Sequence, residues 1–305
     1  MASDAEIKAQ LKAFVFGGDE WPRAPIWHQP EEVGLKYETI FFPATDGIPI
    51  EGWFMPRQDS NQLIVCVTPR WFNRAGFPAH LEPWNTLLPG NDYDVDFVKD
   101  YKLLHDAGYN VVCFDNRNFG YSGAANGGIT SPELCARDVI GALNYVRLRE
   151  DTKAMTIGLF SRCNGAAATM YAMQEHPEVF EGIRCMVAPQ PFSHNVFFAQ
   201  TLKRMGLPDK YMEDMRQYFQ VKTSIDLDDM GVMPWPKSVR VPTLMYQVWD
   251  DPVATNDDAQ EIFDAIPIEE KKLHWITGTQ VRFEGYTFFQ KQPEMVLEWF
   301  AKYMA

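Results

Sequence analysis

Apolar residues in this chain fall into short unbroken runs, and between the runs they recur at helical spacing. Leu63 to Thr68 and Asn110 to Asp115 are such runs, and Met155 to Phe160, Ile183 to Ala188, Val241 to Val248 and Lys272 to Thr277 complete the set of expected strands. A continuous apolar run of this length predicts a strand covered on both faces. Residues 37–42 and 48–54 flank Asp46-Gly47 and predict an antiparallel pair. Ser131 followed by Pro132 opens a helix carrying Cys135, Val139, Ala142, Leu143 and Val146 on one face. A helix from Ala166 to Gln174 must stop near His176, because Pro177 disfavours helix in the residue before it. Asn256 is the expected cap of a helix with Ala259, Ile262, Phe263 and Ile266, and Pro293 opens a last one with Val296, Trp299, Phe300 and Tyr303. Strands alternating with helices predict a mostly parallel sheet with helices on both faces.

Two stretches break the alternation. Residues 69–99 are rich in aromatic, proline and acidic side chains. Residues 191–238 lie between two strands and hold Phe192, Phe197, Phe198, Met205, Met212, Met215, Tyr218, Phe219 and Trp235. Insertions after strands of such a sheet sit over its carboxyl edge, where ligands bind. Residues 191–238 are therefore expected to form a small helical cap on a core made of 1–190 and 239–305. Most of the cap's Met and aromatic residues would pack it down, and a few would line a pocket.

Composition narrows the function. A chain of 305 residues with 46% apolar side chains can bury one large core. A formal net charge of −13 argues against nucleic acid or an anionic membrane surface as partner. No run of eighteen apolar residues suggests a membrane span. Residues 1–6 have neither a basic nor an apolar leader pattern. Five cysteines without CxxC spacing point to free thiols and a reducing cytoplasm. No His, Asp or Glu cluster has metal-ligand spacing, and no glycine-rich phosphate loop follows a strand. Neither a metal nor another cofactor is expected.

The chemistry centres on Cys163. After the strand ending near Phe160 the chain reads Ser161-Arg162-Cys163-Asn164-Gly165. Small residues two before and two after a central nucleophile mark a tight strand-to-helix turn that lifts the central side chain. The start of the following helix and the neighbouring Arg162 would both favour the reactive thiolate of Cys163. The bland alternative is a small buried residue at a turn that does no chemistry.

With this turn go Asp115-Asn116-Arg117-Asn118-Phe119-Gly120-Tyr121-Ser122 and, after a later strand, Trp249-Asp250-Asp251-Pro252-Val253. In this order the three resemble the motifs of the α/β-hydrolase superfamily over nearly the whole chain, with Asn118 where glycine is usual. The cysteine at the turn is similar to that of the dienelactone hydrolases and polyester synthases. The resemblance implies the α/β-hydrolase fold, Cys163 as nucleophile and Asp251, rather than Asp250, as the acid. It places the oxyanion donors on the backbone of Asn164 and of the loop Pro69-Arg70-Trp71-Phe72-Asn73, where Trp71 is the expected second donor. It also implies a histidine after the last strand, and there the chain departs. Residues 278–285 read Gly-Thr-Gln-Val-Arg-Phe-Glu-Gly.

Arg282 cannot act as a base, since its guanidinium stays protonated. It can hold Cys163 by charge, pair with Asp251 or bind a substrate carboxylate. Glu284 can serve as base if desolvated. Of six histidines, His194 is the best placed, because it follows the strand ending at Ala188 closely. Arg70, Arg74, Arg162 and Arg282 fall on segments that converge near Cys163. They would either bind an anionic substrate group or pair with local acids.

The expectation is a cofactor-free enzyme that attacks an ester, thioester or lactone carbonyl with Cys163, aided by Asp251 and a third partner other than the usual one. The substrate would be a small molecule, partly apolar or aromatic, with an anionic group if the arginines bind it. A homo-oligomer is compatible with the sequence. Two rivals remain: an acyltransferase or other non-hydrolytic enzyme on the same fold, and a binding protein on a scaffold that has lost its chemistry.

Overall fold

The computed structural model describes residues 2–17, 22–86, 93–229 and 232–305. Helix α1 (Asp4–Gly17) comes first. Strands β1 (Glu38–Pro43) and β2 (Pro49–Met55) follow, paired antiparallel around the Asp46-Gly47 turn. Then come β3 (Gln62–Val67), a two-residue ribbon of β4 (Gly76–Phe77) and β5 (Val95–Asp96), α2 (Val98–Asp106) and β6 (Asn110–Phe114). Helix α3 (Pro132–Leu148) leads to β7 (Thr156–Ser161), α4 (Asn164–Glu175) and β8 (Ile183–Pro189). After α5 (His194–Arg204) and α6 (Met212–Thr223) the chain returns as β9 (Thr243–Val248), α7 (Asn256–Ala265), β10 (Lys271–Ile276), α8 (Phe283–Lys291) and α9 (Glu294–Met304).

Eight strands form one sheet in the order β1-β2-β6-β3-β7-β8-β9-β10. From β6 to β10 every neighbour is parallel; only β1–β2 and β2–β6 are antiparallel. Side chains alternate between two cores along each central strand, as the pleat requires. Ile64 and Cys66 face the core shared with α2, α8 and α9. Leu63, Val65 and Val67 face the core shared with α3 and α4. Both faces are apolar, which is why these runs show no alternation in the sequence.

Local signals set the helix starts. The Ser131 hydroxyl accepts from the Leu134 N–H at 3.3 Å, capping α3, with Pro132 in its first turn. The cap of α7 is Thr255, whose hydroxyl accepts from Asp258 N–H at 3.1 Å; Asn256, the residue expected there, is the first helical position. Asn118 stands at φ 71, a left-handed conformation that asparagine tolerates better than most residues. Its amide is locked by the carbonyl of Ile129 at 3.1 Å and the N–H of Ala125 at 2.7 Å. That accounts for a residue other than glycine at this turn.

Helices α5 and α6 lie between β8 and β9 in the chain; α5 brings His194 and Phe197 to the pocket beside Cys163, and α6 packs on α5. They are joined there by α1, which sequence patterning left unassigned. Lys8 pairs with Asp214 at 3.1 Å, the Tyr211 hydroxyl donates to Asp4 at 2.9 Å, and Phe14 sits against Phe197 and Phe198. The apolar face of α1 is short, and its partners lie some two hundred residues away. Among the described residues no helix is long and apolar enough to cross a membrane, and no group of His, Cys, Asp and Glu could hold a metal ion.

Candidate active site

Strand β7 delivers Cys163 to the carboxyl edge of the sheet. The residue stands at φ 54, ψ −119, a conformation that persists only where the surroundings enforce it. Three features enforce it here. The Cys163 N–H donates to the Pro189 carbonyl at 2.8 Å. Ser161 and Thr169 hydroxyls meet at 2.9 Å and tie the strand end to α4. Gly165 leaves no room for a larger residue, because a Cβ there would lie 2.8 Å from both the Thr68 carbonyl and a Val67 methyl. The glycine at 165 is thus a packing requirement between α4 and the end of β3.

Cys163 opens into a pocket with about 400 Å³ of empty space, its mouth included. The walls are aromatic: Trp71 and Phe72 from the loop after β3, Phe192 and Phe197 from the cap, and Tyr286 from α8. Three polar side chains also line it: Arg70, His194 and Arg282. Trp71 stands at φ 69, and the Arg70 guanidinium lies 5.0 Å from its ring centre. Asn164 is the first residue of α4, where backbone N–H groups have no partner within the helix.

Arg282 fills the space between Cys163 and Asp251. Its Nη1 donates to Asp251, which has a fully buried side chain. Its Nη2 lies 3.5 Å from Cys163 Sγ and donates to the Gln190 carbonyl at 2.8 Å. Its Nε donates to the Tyr286 hydroxyl at 3.0 Å. Burial works most strongly against the guanidinium charge, but the Asp251 carboxylate together with Tyr286 and Cys163 outweighs it, so the group is held more firmly protonated than usual. Asp251 also accepts from Gln247 Nε2 and from the Val253 N–H, both at 2.8 Å. Burial pushes the Tyr286 phenol well above its ordinary range, so it remains an O–H beside Cys163.

Several sequence expectations need correction. Arg162 adjoins Cys163 in sequence but is absent from the pocket lining. It pairs with Asp100 at 2.7 Å and stacks on Phe97 and Phe160 beneath the turn. Arg74 is likewise held by Asp115 and Glu51. Glu284 turns outward to Lys291 and is absent from the pocket lining, so it is not placed to serve as base. Arg282 reaches the site, but four of its five N–H groups already have protein partners, which leaves no fork for a substrate carboxylate. His80 pairs with Asp94 at 2.7 Å, whereas His194 is buried in the pocket wall against Phe192. Gln190 and Tyr286 carried no sequence signal; both enter only through the contacts they make with Arg282.

The other cysteines sit in the two cores. Burial pushes Cys66 and Cys185 up to about 12, and Cys113 and Cys135 higher still. Since the thiolate is the reactive form, native protein is expected to take up one alkyl group per chain near neutral pH, on Cys163. Thiol titration with peptide mapping checks this. Modification of a core cysteine before unfolding would contradict it.

Comparisons with known proteins agree with this architecture. A family model described as serine aminopeptidase, S33, matches residues 96–231, from β5 through the Cys163 turn into the cap. The uncharacterized protein YfhR of Escherichia coli (strain K12) is 27% identical over 158 residues, which are 51% of this chain and 48% of that protein. The chain thus spans about half the length of the curated relatives it matches. Among solved structures, an esterase of Pyrococcus furiosus superposes with a TM-score of 0.68 at 18% identity, covering 93% of this chain and 97% of that one. A dienelactone hydrolase of Anabaena variabilis gives 0.56 at 15% identity, covering 89% and 99%. The sheet order, the turn at residue 163 and these likenesses define an α/β-hydrolase fold.

Proposed function

We propose that the protein is an enzyme of ester or thioester bonds that carries the acyl group on Cys163. The observation that supports this reading is the contact of Arg282 with both Cys163 Sγ and the buried Asp251. A fixed cation against the sulfur stabilises negative charge wherever it develops there. In the proposed reaction the Cys163 thiol gives its proton to solvent, Sγ attacks the carbonyl carbon, and the oxyanion rests on the N–H groups of Asn164 and Trp71. The C–O or C–S bond to the leaving group breaks, and an acyl-cysteine remains. The leaving alcohol or thiol takes up a proton from solvent. The aromatic walls suit a small acyl group that is partly apolar or aromatic.

Release of the acyl group is the unusual half. Arg282 occupies the position from which a base would deprotonate water, and it cannot accept a proton. His194 is the one imidazole in the pocket wall among the described residues, so it is the base this reading assigns to an incoming acceptor. A second reading, transfer of the acyl group to an acceptor other than water, rests on the same observation, because Asp251 is committed to Arg282 and is not available to orient an imidazole.

Intact-mass spectrometry after incubation with activated acyl esters and thioesters tests the proposal. The expected result is one acyl mass on Cys163, absent in Cys163→Ala. Unchanged turnover in Cys163→Ala would overturn it.

A further inference from the structure

Gln190 follows β8 directly and is fully buried at φ 57, a left-handed conformation that is unusual for glutamine. Four hydrogen bonds hold it. Its N–H donates to the Tyr246 carbonyl at 2.9 Å, and its Oε1 accepts from the Val248 N–H at 3.0 Å, so both ends are tied to β9. Its other two contacts go to one residue. The Gln190 carbonyl accepts from Arg282 Nη2 at 2.8 Å, and its Nε2 donates to the Arg282 carbonyl at 2.5 Å. Arg282 is thus gripped by both guanidinium and backbone. Gly285 is part of the same arrangement, since a Cβ there would fall 2.3 Å from Gln190 Nε2.

The preceding carbonyl, that of Pro189, accepts from the Cys163 N–H at 2.8 Å. Two consecutive carbonyls therefore hold the two members of the sulfur–cation contact, the first the cysteine and the second the arginine. The unusual φ of Gln190 turns the second carbonyl toward the guanidinium while its side chain reaches back to the Arg282 backbone.

We propose that Gln190 is a positioning residue that fixes the Arg282 guanidinium against Cys163 Sγ through this double grip. It need not touch substrate. The proposal rests on the reading of Cys163 and Arg282 given above, and its test separates the two.

Two variants keep the left-handed backbone and the carbonyl but remove the side-chain grip. Gln190→Gly adopts φ 57 without strain, and Gln190→Asn tolerates it with an amide too short to hold both partners. The readout is the ratio of Cys163 alkylation rates with iodoacetate and iodoacetamide. Sulfur ionisation and general access largely cancel in this ratio, while a nearby cation raises it through the probe's carboxylate. The reference is Arg282→Met, and circular dichroism confirms that each variant is folded. Relative to the native protein, the ratio is expected to fall about three- to tenfold in both Gln190 variants, the worth of one hydrogen bond, and further in Arg282→Met. Equal ratios in the native protein and in Arg282→Met would remove the reading of the site itself. A fall in Arg282→Met with native ratios in both Gln190 variants would overturn the positioning role alone.

Discussion

Replacing Arg282 by histidine is expected to speed loss of the acyl group from Cys163 at least about a hundredfold, the low end of what a positioned general base contributes. The imidazole would enter beside Asp251, a carboxylate already held by Gln247 and the Val253 N–H. Those contacts leave Asp251 oriented toward the side chain at position 282. A neutral imidazole there can take a proton from water, which the guanidinium cannot do. The measurement is the decay of the acyl mass in Arg282→His and in the native protein. If the two adducts clear at the same rate, residue 282 does not occupy the base position and the account of slow release is wrong. Histidine is shorter than arginine, so its Nε2 must come close to Sγ without the reach of three methylenes. The neighbouring Tyr286 hydroxyl and Gln190 carbonyl would lose their donor in the exchange.

Replacing Arg282 by methionine is expected to cost about 3–5 kcal/mol of stability, because it leaves the Asp251 carboxylate buried without its partner. Both side chains of this pair are nearly or fully inaccessible to water, so solvent cannot take over the role of the cation. The double variant Arg282→Met, Asp251→Asn should recover most of that loss, since no net charge is then buried. Urea unfolding of the three variants against the native protein checks both statements. Recovery in the double variant without restored acylation would separate stability from chemistry. A loss below about 1 kcal/mol in the single variant would mean that the pair is open to solvent.

Much of the scaffold is legible in the sequence because the information is local. The buried strands declare themselves by unbroken apolar runs, and Ser131-Pro132 and Pro293 mark helix starts within a residue of where they fall. The turn at Cys163 is visible because close packing of α4 on β3 demands glycine at 165. What the sequence conceals depends on pairings between distant segments. Whether Arg162 or Arg282 faces the pocket cannot be read from proximity to Cys163. The nearer arginine goes beneath the turn to Asp100, and the one 119 positions away meets the sulfur. The absence of a histidine after β10 is plain in the sequence. That Arg282 pairs with Asp251 and touches Cys163 together follows only from the geometry. Gln190 has no motif at all, and its grip on Arg282 depends on a backbone conformation that glutamine seldom adopts. Helix α1 is likewise silent, because its burial depends on Phe197, Phe198, Tyr211 and Asp214 of the cap.

His194 links the two halves of the proposed reaction. It sits in the pocket wall at the start of α5, with its ring 5.3 Å from that of Phe192. If it serves the acceptor and not the nucleophile, His194→Asn should leave acylation of Cys163 in place and slow its reversal.

The most direct test of the central claim is the fate of the acyl group on Cys163, followed by time-resolved intact mass in water alone and with added amine, alcohol and thiol acceptors. The account predicts an acyl-cysteine that forms in the native protein, is absent in Cys163→Ala, persists in water and disappears faster when an acceptor is supplied. An acyl group that never forms on Cys163, while ester or thioester turnover proceeds, would contradict it.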